Sequence, residues 1–178
     1  SAQLDALSTA QLRALSTTQL TYVTTSSLAG LNDNSLSTLS TSQVGALTTH
    51  QVSNLTISQV ENLVTAQIRV LSSSQLNAMS TAQWTALKAD QLQALSTTQL
   101  SAVITTNLRA LSGDLINTLS TAQVNTLTSV QVASLQNAQV AALTSAQINQ
   151  LTSTNLQALT SSQVQSLIGG CGGVTTGG

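Results

Sequence analysis

Residues Leu95–Val103 read LSTTQLSAV, and the reading of this stretch decides the fold. A leucine is followed by a hydroxyl residue, and a glutamine stands three residues after that hydroxyl. Apolar residues flank the group, spaced five apart and then three apart. Stepping outward by eight in both directions recovers the same arrangement. One apolar slot runs through Leu4, Leu12, Leu20, Leu28, Leu36 and Val44 and continues past Leu100 to Leu156 and Val164. A second runs from Leu7 and Leu15 through Val23, Met79 and Val103 to Leu159 and Leu167. The period holds over 21 copies without a slip, so length here counts repeats and not separate cores.

Each octad carries a helix-start signal. Ser, Thr or Asn followed three residues later by Gln is a capping box, in which the hydroxyl accepts from the third helical amide and the Gln reaches back to the cap amide. The Leu before the cap and the apolar residue after the Gln stand where a hydrophobic staple requires them. A new start every eight residues interrupts the helix before it. One continuous helix is excluded by angle, since eight residues advance it about 80° past two full turns and the apolar stripe would spiral round the rod. Isolated helices of about six residues are unstable in water, so each must stack on neighbours. The expectation is an all-α repeat solenoid of very short capped helices with an eight-residue period, apolar slots inward and Ser, Thr and Gln outward. The alternative is a β-solenoid, which Thr, Val and Gln ladders suit. Against it, apolar spacings of three and five do not alternate with period two, and Gly is nearly absent from the repeats.

Two segments break the pattern. Residues 21–38 lose the Gln at Ser27 and Ser35 and gain Gly30 and Asp33. Residues 101–118 carry Ile104 in a cap slot and Asn107 and Leu115 in Gln slots, with Gly113 and Asp114 close by. The lapses lie 80 residues apart, which implies a higher-order repeat of ten octads. Duplication history explains this. The functional reading makes Gly30, Asp33, Gly113 and Asp114 a recurring lateral contact or bend. The array is expected over residues 1–167, with 168–178 a Gly-rich linker or docking tail. Ser1 enters part-way through an octad, so the chain is expected to be a piece of a longer array. Cys171, in GGCGG, is either a free thiol or a crosslink between subunits.

Composition narrows function. Charged residues are 5% of the chain and the net charge is −1, which argues against a footprint for nucleic acid or an anionic membrane. No apolar run approaches the ~20 residues of a membrane helix. His50 stands in a polar slot without a partner, and the carboxylates are scattered, so no catalytic, metal or cofactor constellation is expected.

The runs LSTAQ (119–123), QLQALSTTQL (91–100) and LTSAQI (143–148) resemble the long Ser/Thr-Gln-Leu octad arrays of giant secreted bacterial surface proteins, of the adhesin or fibre-forming kind. The resemblance covers residues 1–167 and implies an extracellular stalk or filament. The expected function is therefore structural: a subunit or stalk segment that assembles with copies of itself by stacking octads, without enzymatic activity. The alternative is a module that binds a repetitive surface such as ice or a polysaccharide. The many hydroxyls also offer positions for O-linked glycans.

Overall fold

A helix of five residues has almost no interior. The first four N–H groups and last four C=O groups of any helix lack partners within it, so here nearly every backbone group must be satisfied from outside. The computed structural model, which describes residues 9–32 and 34–171, solves this problem in the same way in octad after octad. Among the described residues there are helices and no strands, so the chain is an all-α repeat solenoid and not a β-solenoid.

Most octads form an α-helix of five or six residues, such as Thr41–Gly45, Thr49–Ser53, Thr65–Val70 and Ser73–Ala78. The start is set by the cap. Ser72 is extended (φ −69°, ψ 158°), its hydroxyl accepts from the Gln75 N–H at 3.2 Å, and Gln75 Oε1 accepts the Ser72 N–H at 2.7 Å. The stop is set by the next start. Leu71, the residue before that cap, is already extended (φ −65°, ψ 129°), so two extended residues make the elbow between helices. Any L-residue adopts these angles, and no described residue has a positive φ. That is why the elbow is Leu-Ser or Leu-Thr and needs no glycine.

Where the cap residue lacks a hydroxyl, the backbone or a neighbour takes over. At Val64 the Gln67 N–H donates to the Val64 carbonyl (2.8 Å), while Gln67 Oε1 still accepts the Val64 N–H (3.0 Å). At Lys88 the Asp90 carboxylate accepts the Gln91 N–H (3.0 Å), and Gln91 Oε1 accepts the Lys88 N–H (2.9 Å). The glutamine half of the box therefore survives loss of the other half.

Contacts group the chain into two compact units, Ser1–Leu95 and Ser96–Gly178. In the first, helix Thr41–Gly45 packs on Thr65–Val70, Thr49–Ser53 on Ser73–Ala78, and Thr65–Val70 on Ala89–Ala94, each pair three octads apart. In the second, Gly113–Asn117 packs on Asn137–Ala141 and Ser129–Ser134 on Ser153–Ala158, again three octads apart. Both units are thus coils of short helices, each resting on the helix one turn earlier. The first apolar slot fills the centre: every such residue from Leu12 to Val140 is 0–1% exposed. The second slot, at the elbows, is also buried, as at Leu47, Leu63, Leu111 and Leu127. Burying a Leu or Val contributes roughly 1.5–3 kcal/mol, and two per octad offset the ordering of helices too short to stand alone.

Three features depart from the sequence reading. The segment around the first lapse forms a 3₁₀ turn, Leu36–Thr38, with no side-chain cap at Ser35. The second lapse keeps two α-helices, Thr105–Ala110 and Gly113–Asn117. The last helix runs Ser161–Cys171, eleven residues long, past the array boundary placed at Leu167. No Ser/Thr-x-x-Gln restart follows Leu167, so nothing interrupts the i to i−4 bonding there. Residues 172–178 of the Gly-rich tail lie outside the described residues.

Two glycines give opposite expectations. A Cβ at Gly45 would meet nothing closer than the Val70 carbonyl at 3.5 Å, whereas at Gly113 it would meet Ala142 Cβ at 3.0 Å and the Ala138 carbonyl at 3.1 Å. Gly45→Ala is expected to stabilise by about 0.5–1 kcal/mol through helix propensity. Gly113→Ala is expected to destabilise, because the facing backbone must shift. Thermal unfolding of the two variants checks the difference in sign.

Candidate functional site

The glutamines were expected outward; the structure turns them inward. Gln59 is 0% exposed and Gln67, Gln83, Gln91 and Gln139 are 1% exposed. A buried primary amide needs partners at both ends. Oε1 has its partner in the capping box. The Nε2 group, which the box does not use, donates to the previous turn of the coil.

The geometry repeats with fixed spacing. Gln59 Nε2 donates to the carbonyls of Leu28 (2.8 Å) and Leu31 (3.2 Å), 31 and 28 residues earlier. Gln67 reaches Leu36 and Leu39 in the same way, and Gln83 reaches Val52 and Leu55. In the second unit Gln131 reaches Leu100 and Val103, and Gln139 reaches Leu108 and Leu111. The more distant carbonyl belongs to a first apolar slot and already accepts one bond from the N–H of the elbow that follows its helix, as Leu28 does from the Leu31 N–H at 3.2 Å. The nearer carbonyl is at the elbow, where no helical donor can reach it. One glutamine thus serves three backbone groups: the cap N–H of its own octad and two carbonyls one turn back. Among the described residues no buried side-chain N or O is left without a partner.

The spacing of this bond reports the number of octads per turn. The amide reaches the elbow between the octads three and four earlier, while its helix packs on the octad three earlier. One turn therefore takes more than three octads and fewer than four, about 28 residues by the spacing of the elbow bonds.

The chemistry of the slot follows. A capping box accepts Glu as readily as Gln. Across the 21 copies the slot holds Gln 16 times, and a Glu there would serve the cap but not the joint, because a carboxylate has no hydrogen to give the carbonyls. The sequence carries no signal for this second bond, since Glu occurs once in the whole chain, at Glu61, and its absence from the slot decides nothing. Asn155 tests the bond within the chain. Its Nδ2, one methylene short, reaches only the Leu127 carbonyl (2.9 Å), and no side chain returns to the Thr152 N–H. Asn155→Gln is expected to stabilise by about 1 kcal/mol, the net worth of a typical hydrogen bond. Urea titration of the pair measures it.

Residues 58–97 and 132–168 each match the family model described as the ALTTAQ repeat. The chain is a repeat protein. In the terms of this geometry the Leu of an ALTTAQ repeat is the elbow, its first Thr the cap, and its Gln the joint between turns. A search of curated proteins found no match to the chain.

The residues singled out from the sequence fall elsewhere. Gly30 closes helix Thr25–Ala29, and Asp33 lies outside the described residues. Gly113 opens helix Gly113–Asn117 with Asp114 beside it, packed against Ala138 and Ala142. Gly30 and Gly113 occupy different positions of the octad, so they do not form one recurring feature. Cys171 is the last residue of its helix. His50 is exposed, and among the described residues no group of His, Cys, Asp and Glu is placed to hold a metal. No helix among them is long and apolar enough to cross a membrane.

Proposed function

We propose that the chain is a structural protein: a subunit or stalk segment of an extracellular bacterial filament or adhesin, built by stacking turns of ALTTAQ-type octads and associating with copies of itself. The observation that carries this reading is the glutamine joint. A bond that ties each turn to the one before at constant spacing adds length without changing the rule of addition, which is what a rod or filament requires. The outer face supports it. It is formed of hydroxyls and amides with few charges, so close packing of arrays strips little charge of water. The likeness to octad arrays of secreted surface proteins favours an extracellular location.

The experiment is negative-stain microscopy with light scattering on the isolated chain over a concentration series. Rods or filaments that lengthen with concentration are expected. A monodisperse monomer at high concentration contradicts the reading.

A second reading rests on one observation. Thr41, Thr49, Thr81, Thr97 and Thr121 all stand exposed at the first position of their helices, at intervals of whole octads. Such a lattice suits ice or a polysaccharide. Thermal hysteresis or retention on a glycan array would favour this reading, and clean negatives in both would retire it.

A further inference from the structure

Side chains alone join one turn of the coil to the next. Within each unit the backbone bonds at caps and elbows connect residues three or four apart, and among the described residues none connects two turns. The side-chain bonds that do so span 27 to 31 residues, as Gln136 to Arg109, Gln59 to Leu31 and Gln43 to Leu12, and none reaches past the neighbouring turn. Packing follows the same rule. Helix Thr65–Val70 rests on Thr41–Gly45 before it and Ala89–Ala94 after it, each three octads away. An octad in the array is therefore held by the joint it makes, the joint it receives and its two buried apolar residues.

We infer that each unit is an extensible element, which lengthens under tension by shedding octads from the edge of the coil while the turns behind stay folded. Tension drawn along the chain falls first on the octad at the edge of the folded part. No bond spans two turns, so nothing spreads that tension over a second turn. Once detached the octad melts, since a helix of five or six residues does not stand alone in water. Its eight residues then add about 27 Å of extended chain, at roughly 3.4 Å each. The turn beneath loses only its contacts with the departed neighbour and stays packed on the turn before it. Tension passes to the next octad, which is held in the same way. Recovery is as local. A returning glutamine such as Gln59 finds its carbonyls already in place 28 and 31 residues back, so little loop-closure entropy opposes it. A segment built in this way limits the tension it transmits. It does so as a single chain, independently of the self-assembling reading above.

The test is extension of the 178-residue chain between its two ends in an optical trap at pH 7. Lengthening is expected in steps of one turn or less, at most about 95 Å for 28 residues. The steps are expected at similar forces, with relaxation retracing extension. Any single release longer than one turn overturns the inference, and so does a chain that refolds only at a far lower force than it unfolds. Neither result touches the self-assembling reading, which microscopy tests separately. Gln59→Glu supplies a second arm. It keeps the oxygen that accepts the Thr56 N–H and removes the donor to Leu28 and Leu31. The force is expected to dip over the one turn that Gln59 joins and to stay unchanged elsewhere. An unchanged profile, or a drop along the whole extension, counts against the inference. Where that variant does not fold, the wild-type trace decides alone.

Discussion

Gln59→Ala is expected to lower the stability of the fold by about 3 kcal/mol, a large effect for a polar residue. Truncation removes the acceptor for the Thr56 N–H and the donor to the carbonyls of Leu28 and Leu31. Among the described residues the Leu31 carbonyl has no other donor, and an unpaired buried group costs about 1–3 kcal/mol. The half-buried Thr56 N–H adds a smaller amount, and the vacated volume adds the rest. Gln59→Glu separates hydrogen bonding from volume. The introduced carboxyl, desolvated and facing two carbonyl oxygens, has its folded pKa raised above the unfolded value of about 4.3. A raised folded pKa gives stability that is present below the unfolded pKa, where the protonated carboxyl can donate, and that is lost as pH rises through the folded pKa. This variant is therefore expected to be much weaker than wild type at pH 7 and to recover part of the difference near pH 4. Urea unfolding at the two pH values reads both effects.

Trp84→Ala is expected to cost about 3–5 kcal/mol, the range for emptying a buried aromatic site. Trp84 is 0% exposed in a slot that elsewhere holds Leu, Ile or Val, and its Nε1 donates to the Leu76 carbonyl, one octad back, at 3.0 Å. That carbonyl also accepts the Met79 N–H at 3.3 Å, so the loss is chiefly one of packing and less of hydrogen bonding. Unfolding followed by far-UV circular dichroism measures it, because the variant lacks the chain's sole tryptophan. Trp84→Leu, which restores an ordinary resident of the slot, is expected to recover more than half of the lost stability.

The helices and their boundaries were legible because they are local. The cap hydroxyl, the glutamine three residues on and the flanking leucines specify a start, and a start every eight residues specifies a stop. The apolar slots were legible as core for the same reason: with spacings of three and five they share one side of a broken helix. The pitch was not legible. It follows from elbow angles such as those of Leu71 and Ser72, repeated through most of the described octads, and no residue type records it. The glutamine was half legible. Its role in the capping box accounts for Oε1 and is satisfied by an exposed side chain, so a local reading places Gln outward. The work of Nε2 is done one turn away, and no residue near the glutamine in sequence records it. The two lapses, alike as strings, differ in backbone. The octad with Ser35 in its Gln slot forms the 3₁₀ turn Leu36–Thr38, whereas in the matching octad of the second lapse Ser112, in the cap slot, bonds to the Leu115 N–H (3.2 Å) and an α-helix follows.

The central claim is that the inward glutamine amide bonds one turn of the coil to the turn before it. Hydrogen exchange of the side-chain NH₂ groups, resolved by NMR, tests this most directly. The Nε2 hydrogens of Gln59 are predicted to exchange only through opening of the fold, orders of magnitude more slowly than those of exposed Gln19 in dilute, unassembled protein. Equal, fast exchange at both positions would contradict the account.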